Sequence, residues 1–382
     1  MNITITPGYL HGDVTIIPSK SQAHRLLICA AFADKPTHIA CNATSQDIEA
    51  TVDCLRALGA DITATDSGYC VIPAKHIPAT AQLDCRESGS TLRFMLPIVG
   101  ALGVDATFTM AGRLPQRPLS PLWEELERMG CTLTRPSQNT LRCQGKLRSG
   151  AYAIDGGVSS QFITGLLFAH SLMEGCTLLV TGKLESKPYI DMTRSALNLF
   201  SAEHAPEHIT VEGDWSNGAF WLAANALGSQ IAVQGLNPDS LQGDRAIADI
   251  LKQLECGAPT ISVVDIPDLV PILSVVAAAK HGAVFTDIQR LRLKESDRVA
   301  SVIALLKNLG GNACATEDTL CIHPATLIGG TVDSCNDHRI AMAAAVAATV
   351  CAEKVTIIDA EAINKSYPTF WAEYSRLGGK YE

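Results

Sequence analysis

The chain reads as an α/β protein built from one repeated pattern of strands and helices, and three observations carry that reading. Six segments are apolar nearly all the way round, and an amphipathic segment starts about 28 residues after the start of each. Runs rich in Val, Ile and Thr, bounded by Gly, Pro or Asp, lie between them. A helix apolar on every side is buried, and short β-branched runs between turn residues form strands. A spacing kept through six copies marks an internal repeat.

The strand-like runs "ITITPG" and "GDVTIIP" come first. Repeat one then places a buried helix in "SKSQAHRLLICAAFA", starting near Lys20, and an amphipathic one in "DIEATVDCLRALGA". Repeat two follows with "ESGSTLRFMLPIVGALG", starting near Gly89, and "LSPLWEELERMG"; repeat three has "SSQFITGLLFAHSLM", near Ser160, the strand "TLLVTG", and "YIDMTRSALNLF". Repeat four has "DWSNGAFWLAANALG", near Ser216, and "DRAIADILKQLECGA". Repeat five has "PDLVPILSVVAAAK", near Pro267, and "SDRVASVIALLKNLGG". Repeat six has "NDHRIAMAAAVAATV", near His338, the strand "KVTIIDA", and "PTFWAEYSRLGG". Five amphipathic helices end in Gly, the residue that a left-handed helix stop favours; Phe200 takes that place in the third. From each amphipathic segment to the next buried helix the gap is about 42 residues after repeats one, two and five, but about 26 and 23 after repeats three and four. Those two repeats should therefore each lack a β-hairpin.

A length of 382 residues allows one large domain or two medium ones. Hydrophobic residues at 47% with 18% charged fit a soluble globular chain. The 13 cysteines form no CxxC pair, and their odd number argues against a disulfide framework, so reduced thiols in a cytoplasmic setting are expected. The amino-terminal stretch has no basic segment followed by an apolar core, and no apolar run reaches the roughly 18 residues of a membrane span. A net charge of −9 argues against nonspecific nucleic-acid binding.

Against that acidic background the unusual polar residues cluster at the predicted helix starts. They are Lys20, Ser21 and Arg25; Ser88, Gly89, Ser90 and Arg93; Arg117; Ser159, Ser160 and Gln161; Ser186 and Tyr189; Asp268; "KESDR" at 294–298; Asp337, His338 and Arg339; and Lys365. Helix amino termini offer unpaired N–H groups and the positive end of the macrodipole, so several together make an anion site. Simpler readings exist: Ser159 and Ser160 as helix caps, Ser296 within a capping box, His338 as a core histidine and Arg117 as a solvated charge. Yet Lys20, Arg298 and Arg339 are cations at the wrong end of a helix dipole, a cost that an anionic ligand would offset.

In order, "PSKSQAHR", "ESGSTLRF", "RPLSPL", "SSQFITGLL", "SKPYIDMT", "VEGDWS", "IPDLVP", "RLRLKESDR", "DHRIAMA" and "NKSYP" resemble the successive signatures of the 5-enolpyruvylshikimate-3-phosphate synthase family of enolpyruvyl transferases, from about residue 5 onward. The resemblance implies a two-domain inside-out barrel of six βαβαββ-type repeats, with residues 19–212 as one domain, residues 1–18 and 213–382 as the other, and the active site in the cleft between. It implies transfer of the enolpyruvyl group of phosphoenolpyruvate to the 5-hydroxyl of shikimate 3-phosphate with release of phosphate, without metal or organic cofactor, by a cytoplasmic protein expected to be a monomer. Lys20, Gly89, Arg117, Gln161, Arg298, His338, Arg339 and Lys365 map to the phosphoenolpyruvate site. Lys20, Ser21, Arg25, Ser159, Ser160, Gln161, Ser186, Tyr189, Asp268 and Lys294 map to the shikimate 3-phosphate site. Glu295 is assigned as the acid toward carbon, and the base is shared between Asp268 and Lys20. Two positions depart from the family pattern: Glu87-Ser88-Gly89 stands where many members have Asn-Ala-Gly, and Arg290 where some have a substrate-contacting Asn. The alternatives are the sister transferase acting on UDP-N-acetylglucosamine, whose loop cysteine is missing from "AGRLPQRPLSP", and a noncatalytic relative that binds phosphorylated metabolites.

Overall fold

The computed structural model describes residues 1–201 and 205–382. Alternation of apolar and polar residues sets the opening strand β1 (Ile3–Thr6), and β2 (His11–Thr15) follows with Val14 alone buried. There follow α1 (Lys20–Ala31), β3 (Thr37–Ala40), α2 (Gln46–Ala57), β4 (Asp61–Thr65), β5 (Gly68–Ile72) and β6 (Thr80–Asp84). The order recurs as α3 (Gly89–Leu102), β7 (Asp105–Thr109), α4 (Leu122–Arg128), β8 (Cys131–Ser137), β9 (Thr140–Gly145) and β10 (Ala151–Asp155). Next come α5 (Ser160–Ser171), β11 (Thr177–Thr181), α6 (Lys187–Leu199) and β12 (His208–Thr210), then α7 (Trp215–Ala226), β13 (Gln230–Gln234), α8 (Ile247–Cys256) and β14 (Thr260–Ser262). The hairpin returns in α9 (Val270–Ala279), β15 (Ala283–Thr286), α10 (Arg298–Asn308), β16 (Asn312–Ala315), β17 (Thr319–His323) and β18 (Gly330–Asp333). The chain finishes with α11 (His338–Ala348), β19 (Val355–Ile358), α12 (Phe370–Arg376) and β20 (Lys380–Tyr381). Hairpins thus follow α2, α4 and α10; among the described residues none follows α6 or α8.

The chain divides into a continuous compact unit, Pro18–Val211, and a discontinuous one, Met1–Ile17 with Glu212–Glu382. Each has its own apolar core. In the continuous unit the sheets run β12-β3-β5-β4, β6-β7-β9-β8 and β10-β11; in the discontinuous unit they run β13-β2, β14-β15-β17-β16 and β18-β19-β1-β20. The helices α1, α3 and α5 of the first unit, and α7, α9 and α11 of the second, are buried along most of their length, as their all-round apolar sequences require. In the discontinuous unit Trp221 stacks on Phe370 at 5.0 Å between ring centres.

Two expectations need correction. The fifth buried helix begins at Val270 rather than near Pro267, because Pro271 occupies its first turn and residues 266–269 form a turn closed by Leu269 N–H donating to Ile266 O (3.1 Å). Asp268 therefore sits on that turn. Of the helix-ending glycines, Gly59, Gly130, Gly310 and Gly378 have positive φ of 103°, 116°, 88° and 93°, whereas Gly257 at 166° is extended backbone leading into Pro259. All 13 cysteines are free thiols; burial pushes those of Cys29 and Cys351 up to about 12, which keeps them protonated and inert. Among the described residues no helix is long and apolar enough to cross a membrane.

Candidate functional site

In the continuous unit, side chains tie the amino ends of α1, α3 and α5 together. Ser19, Ser88 and Ser159 cap these helices, accepting from the N–H groups of Gln22, Thr91 and Gln161. Arg25, one turn into α1 and 3% exposed, donates from Nε to Thr193 Oγ1 (2.9 Å), from Nη1 to Ser21 O (2.6 Å) and from Nη2 to Tyr189 O (2.9 Å). Burial pulls its guanidinium down to about 10, so it is still charged at neutral pH. Ser186 precedes α6 in the left-handed region (φ 54°), and its carbonyl accepts the Tyr189 N–H at 3.2 Å. Ser21, Arg25, Ser186 and Tyr189 are thus brought together.

A second cluster joins Gly89, Ser90, Arg93, Arg117 and Gln161. Gln161 donates from Nε2 to Ser90 Oγ (2.9 Å) and accepts at Oε1 from Arg93 Nη1 (2.7 Å), while Arg93 Nη2 donates to Pro118 O (3.0 Å). A Cβ built on Gly89 would lie 2.5 Å from Arg117 Nη1 and 3.0 Å from Arg93 Nη1, so the glycine is what admits the guanidinium. Arg117 also lines an open depression of about 570 Å³ with Gln116, Trp123 and Arg135. Ser160, 4% exposed, is the first residue of α5 beside its cap Ser159.

Lys20 opens α1, where the dipole disfavours a cation. The chain itself supplies an offset: Nζ donates to Asp47 Oδ2 at 2.9 Å. Asp47 in turn lies in the first turn of α2, where a carboxylate suits the dipole. Behind Lys20, His24 bonds through Nδ1 to Thr51 Oγ1 (2.7 Å), and burial, then the Lys20 and Arg25 charges, hold it well below the usual histidine range.

In the discontinuous unit, Arg298 starts α10 at 1% exposure and meets three carboxylates: Asp337 through Nε (2.9 Å), Glu295 through Nη2 (2.7 Å) and Asp268 through Nη1. Again the chain's own carboxylates offset the cation. Arg339 Nη2 donates to the other Asp268 oxygen (3.1 Å), and Lys294 Nζ stands 3.6 Å from Oδ1. Burial alone would push the Asp268 carboxyl up, but Arg339, Lys294 and Arg298 together hold it well below the usual carboxylate range. Lys294 is brought down to about 8 by burial, against the pull of Asp268, with the Arg298 and Arg290 charges adding to the fall. The cap of α10 is Asp297, accepting from Ala300 N–H (3.1 Å), and not Ser296, whose hydroxyl donates to Asp337 (3.0 Å). His338 and Arg339 open α11, and Lys365 donates to Asn336 O at 2.7 Å.

Sequence reasoning missed Asp47 and Asp244. Asp244 is 2% exposed; one oxygen accepts the Ser216 hydroxyl, while Oδ1 is buried with no hydrogen-bond partner among the described residues. Burial, then the Asp268 charge, pushes its carboxyl up to about 7. A signal for both was present. Lys20–Asp47, Ser216–Asp244, Thr164–Thr193, Asn336–Lys365 and Asp268–Arg298 are 27, 28, 29, 29 and 30 residues apart. This is the half-repeat spacing, which brings the starts of the two helices of one repeat side by side.

A family model described as EPSP synthase (3-phosphoshikimate 1-carboxyvinyltransferase) matches residues 5–374. The 3-phosphoshikimate 1-carboxyvinyltransferase of Clostridium kluyveri is 37% identical over 417 residues, covering 100% of this chain and 98% of that protein. Its counterpart in Clostridium acetobutylicum is 38% identical over 416 residues, covering 99% and 97%. Among solved structures, an EPSP synthase from Acinetobacter baumannii matches with a TM-score of 0.80 at 24% identity, covering 100% of this chain and 99% of that one. At that identity the likeness speaks for the fold.

Proposed function

Because this chain belongs to the EPSP synthase family, we propose that it transfers the enolpyruvyl group of phosphoenolpyruvate to the 5-hydroxyl of shikimate 3-phosphate and releases phosphate. The observation that carries the reading is the set of cations in the first turns of helices, Lys20, Arg25, Arg298 and Arg339, which fixed partners brace. Both substrates carry phosphate and carboxylate, and braced guanidinium groups pair with such oxyanions without further ordering cost. We read the six sheets as the six repeats of an inside-out barrel, with each compact unit as a domain of three.

In this account Ser21, Arg25, Ser159, Ser160, Ser186 and Tyr189 hold the shikimate phosphate, with Lys294, Gln161, Lys20 and Asp268 toward the ring. Gly89, Arg117, Gln161, Arg298, His338, Arg339, Lys365 and Lys20 hold phosphoenolpyruvate. The 5-hydroxyl oxygen attacks the central carbon of the enol phosphate while its proton passes to Asp268 or Lys20. Glu295 protonates the methylene carbon, giving a tetrahedral intermediate. Phosphate then leaves, carrying away the proton taken up by Asp268 or Lys20, and a methyl proton returns to the Glu295 carboxylate, which restores the methylene. Asp268 is kept ionised, which suits it to accept the hydroxyl hydrogen bond. Its three cationic neighbours lower its proton affinity, which moves weight toward Lys20 as proton carrier. Surrounding cations stabilise the intermediate most where charge develops. Phosphate release with both substrates, and none when a UDP-sugar replaces shikimate 3-phosphate, tests the assignment; release with the UDP-sugar would transfer it to the sister enzyme.

A further inference from the structure

The sheets β10-β11 and β13-β2 hold two strands each, whereas the other four hold four. In every four-stranded sheet the second strand of the parallel pair has an antiparallel neighbour: β3 has β5, β7 has β9, β15 has β17 and β19 has β1. β11 is the corresponding strand of the third repeat, and among the described residues it pairs with β10 alone. The backbone direction settles which groups are left over, because N–H and C=O of one strand residue point to the same side. Thr177 N–H donates to Gly150 O (3.0 Å), and Thr181 O accepts from Gly156 N–H (2.9 Å). Thr177, Leu179 and Thr181 therefore face β10, and Leu178 and Val180 present their N–H and C=O at the open edge.

Edge strands are ordinarily guarded by Lys, Pro, inward charges or bulges. The stretch "CTLLVTG" around β11 has none of these, and Leu179 stands 62% exposed on its outer face. The other short sheet differs: the outward residues of β13 are Gln230, Ala232 and Gln234. Where a hairpin is present, its first strand packs on the preceding helix, α4 on β8 and α10 on β16; α6 lacks that cover and exposes Leu199 at 45%.

We propose that β11 is a self-association edge, which pairs antiparallel with β11 of a second copy of this chain across a two-fold axis at Leu179. The sequence of the strand is complementary to itself in that register. Thr177 meets Thr181, Leu178 meets Val180, and Leu179 meets its own copy. Leu178 and Val180, the residues with unspent backbone groups, fall opposite each other and exchange N–H and C=O. The Leu179 pair falls between them as the close, non-hydrogen-bonded pair. Such a contact is isologous and closes at two copies. It produces a four-stranded sheet, β10-β11-β11-β10, whose antiparallel central pair stands where β7 pairs with β9 within one chain. A five-residue edge buries less than the roughly 1,000 Å² of a durable interface, so the dimer is weak and depends on concentration.

Analytical ultracentrifugation of the full chain over about 1–200 μM, the range in which a contact this small associates, tests the proposal. The weight-average mass should climb from 40.6 kDa toward twice that value. Leu179→Lys or Leu179→Glu places like charges directly opposite, which disfavours pairing, so each variant alone should stay at one chain. An equal mixture of the two should associate again, and phosphate-release activity should be unchanged throughout. A wild-type mass constant at one chain overturns the proposal, as does association that survives Leu179→Lys, or a mixture that associates no better than either variant.

Discussion

Gly89→Ala probes the anion site with little disturbance elsewhere. Gly89 is the first residue of α3 and has no positive φ, so alanine suits the backbone and even improves helix propensity by up to about 1 kcal/mol. The new Cβ would sit 2.5 Å from Arg117 Nη1 and 3.0 Å from Arg93 Nη1. Arg117 is the nearer of the two and stands closer than any real Cβ contact, so its guanidinium has to move. Restoring an ordinary separation near 3.5 Å moves its guanidinium by about 1 Å. Loss of one charge-assisted hydrogen bond to the substrate's phosphate or carboxylate costs about 1.5–3 kcal/mol, or roughly 10- to 100-fold in affinity. In steady-state phosphate release with each substrate varied, KM for phosphoenolpyruvate should rise by that factor, while KM for shikimate 3-phosphate stays within about threefold. Thermal unfolding should be unaltered. A folded variant with unchanged KM for phosphoenolpyruvate would refute the reasoning.

Lys20→Met should retain the fold while turnover falls by about 100-fold or more, since the charge serves both carboxylate binding and proton transfer; near-normal turnover removes Lys20 from the mechanism. Glu295→Gln keeps an acceptor for Arg298 Nη2 and should depress kcat far more than it raises either KM, whereas weakened binding at full turnover would make Glu295 a brace only. With Lys294 brought down to about 8, kcat/KM for shikimate 3-phosphate should fall as pH rises through 8 and the ammonium is lost; Lys294→Arg should flatten that limb, and a limb unmoved by the change assigns it elsewhere. The folded-state value of about 7 for Asp244 lies above its ordinary 3.8, so the stability it contributes is complete below about pH 4 and is lost as pH climbs through 7. Asp244→Asn should therefore raise Tm relative to wild type at pH 8, with the advantage shrinking steadily as pH falls below 7 and gone only below about pH 4, and a Tm difference independent of pH contradicts the burial argument.

The starts of α1, α3, α5 and α11 were legible because a serine or aspartate cap precedes an apolar run at each, at Ser19, Ser88, Ser159 and Asp337. The start of α9 was not, because two prolines share its entry and either can open a helix. The cations were legible as a class, but their partners were not. Arg298 and Asp337, 39 residues apart, meet through tertiary packing that no local pattern encodes. Arg93 was visible at a helix start, yet its function as the brace of Gln161 depends on α3 lying against α5. The repeat period is the exception, since a spacing read from the apolar helices also relates Ser216 to Asp244.

Phosphorus NMR of one reaction mixture tests the central claim most directly. With this chain, phosphoenolpyruvate and shikimate 3-phosphate, the two substrate resonances should decline together, matched by equal growth of inorganic phosphate and of one new phosphomonoester, with no change when either substrate is withheld. Phosphate appearing from phosphoenolpyruvate without shikimate 3-phosphate, or both substrates persisting unchanged beside folded protein, would contradict the account.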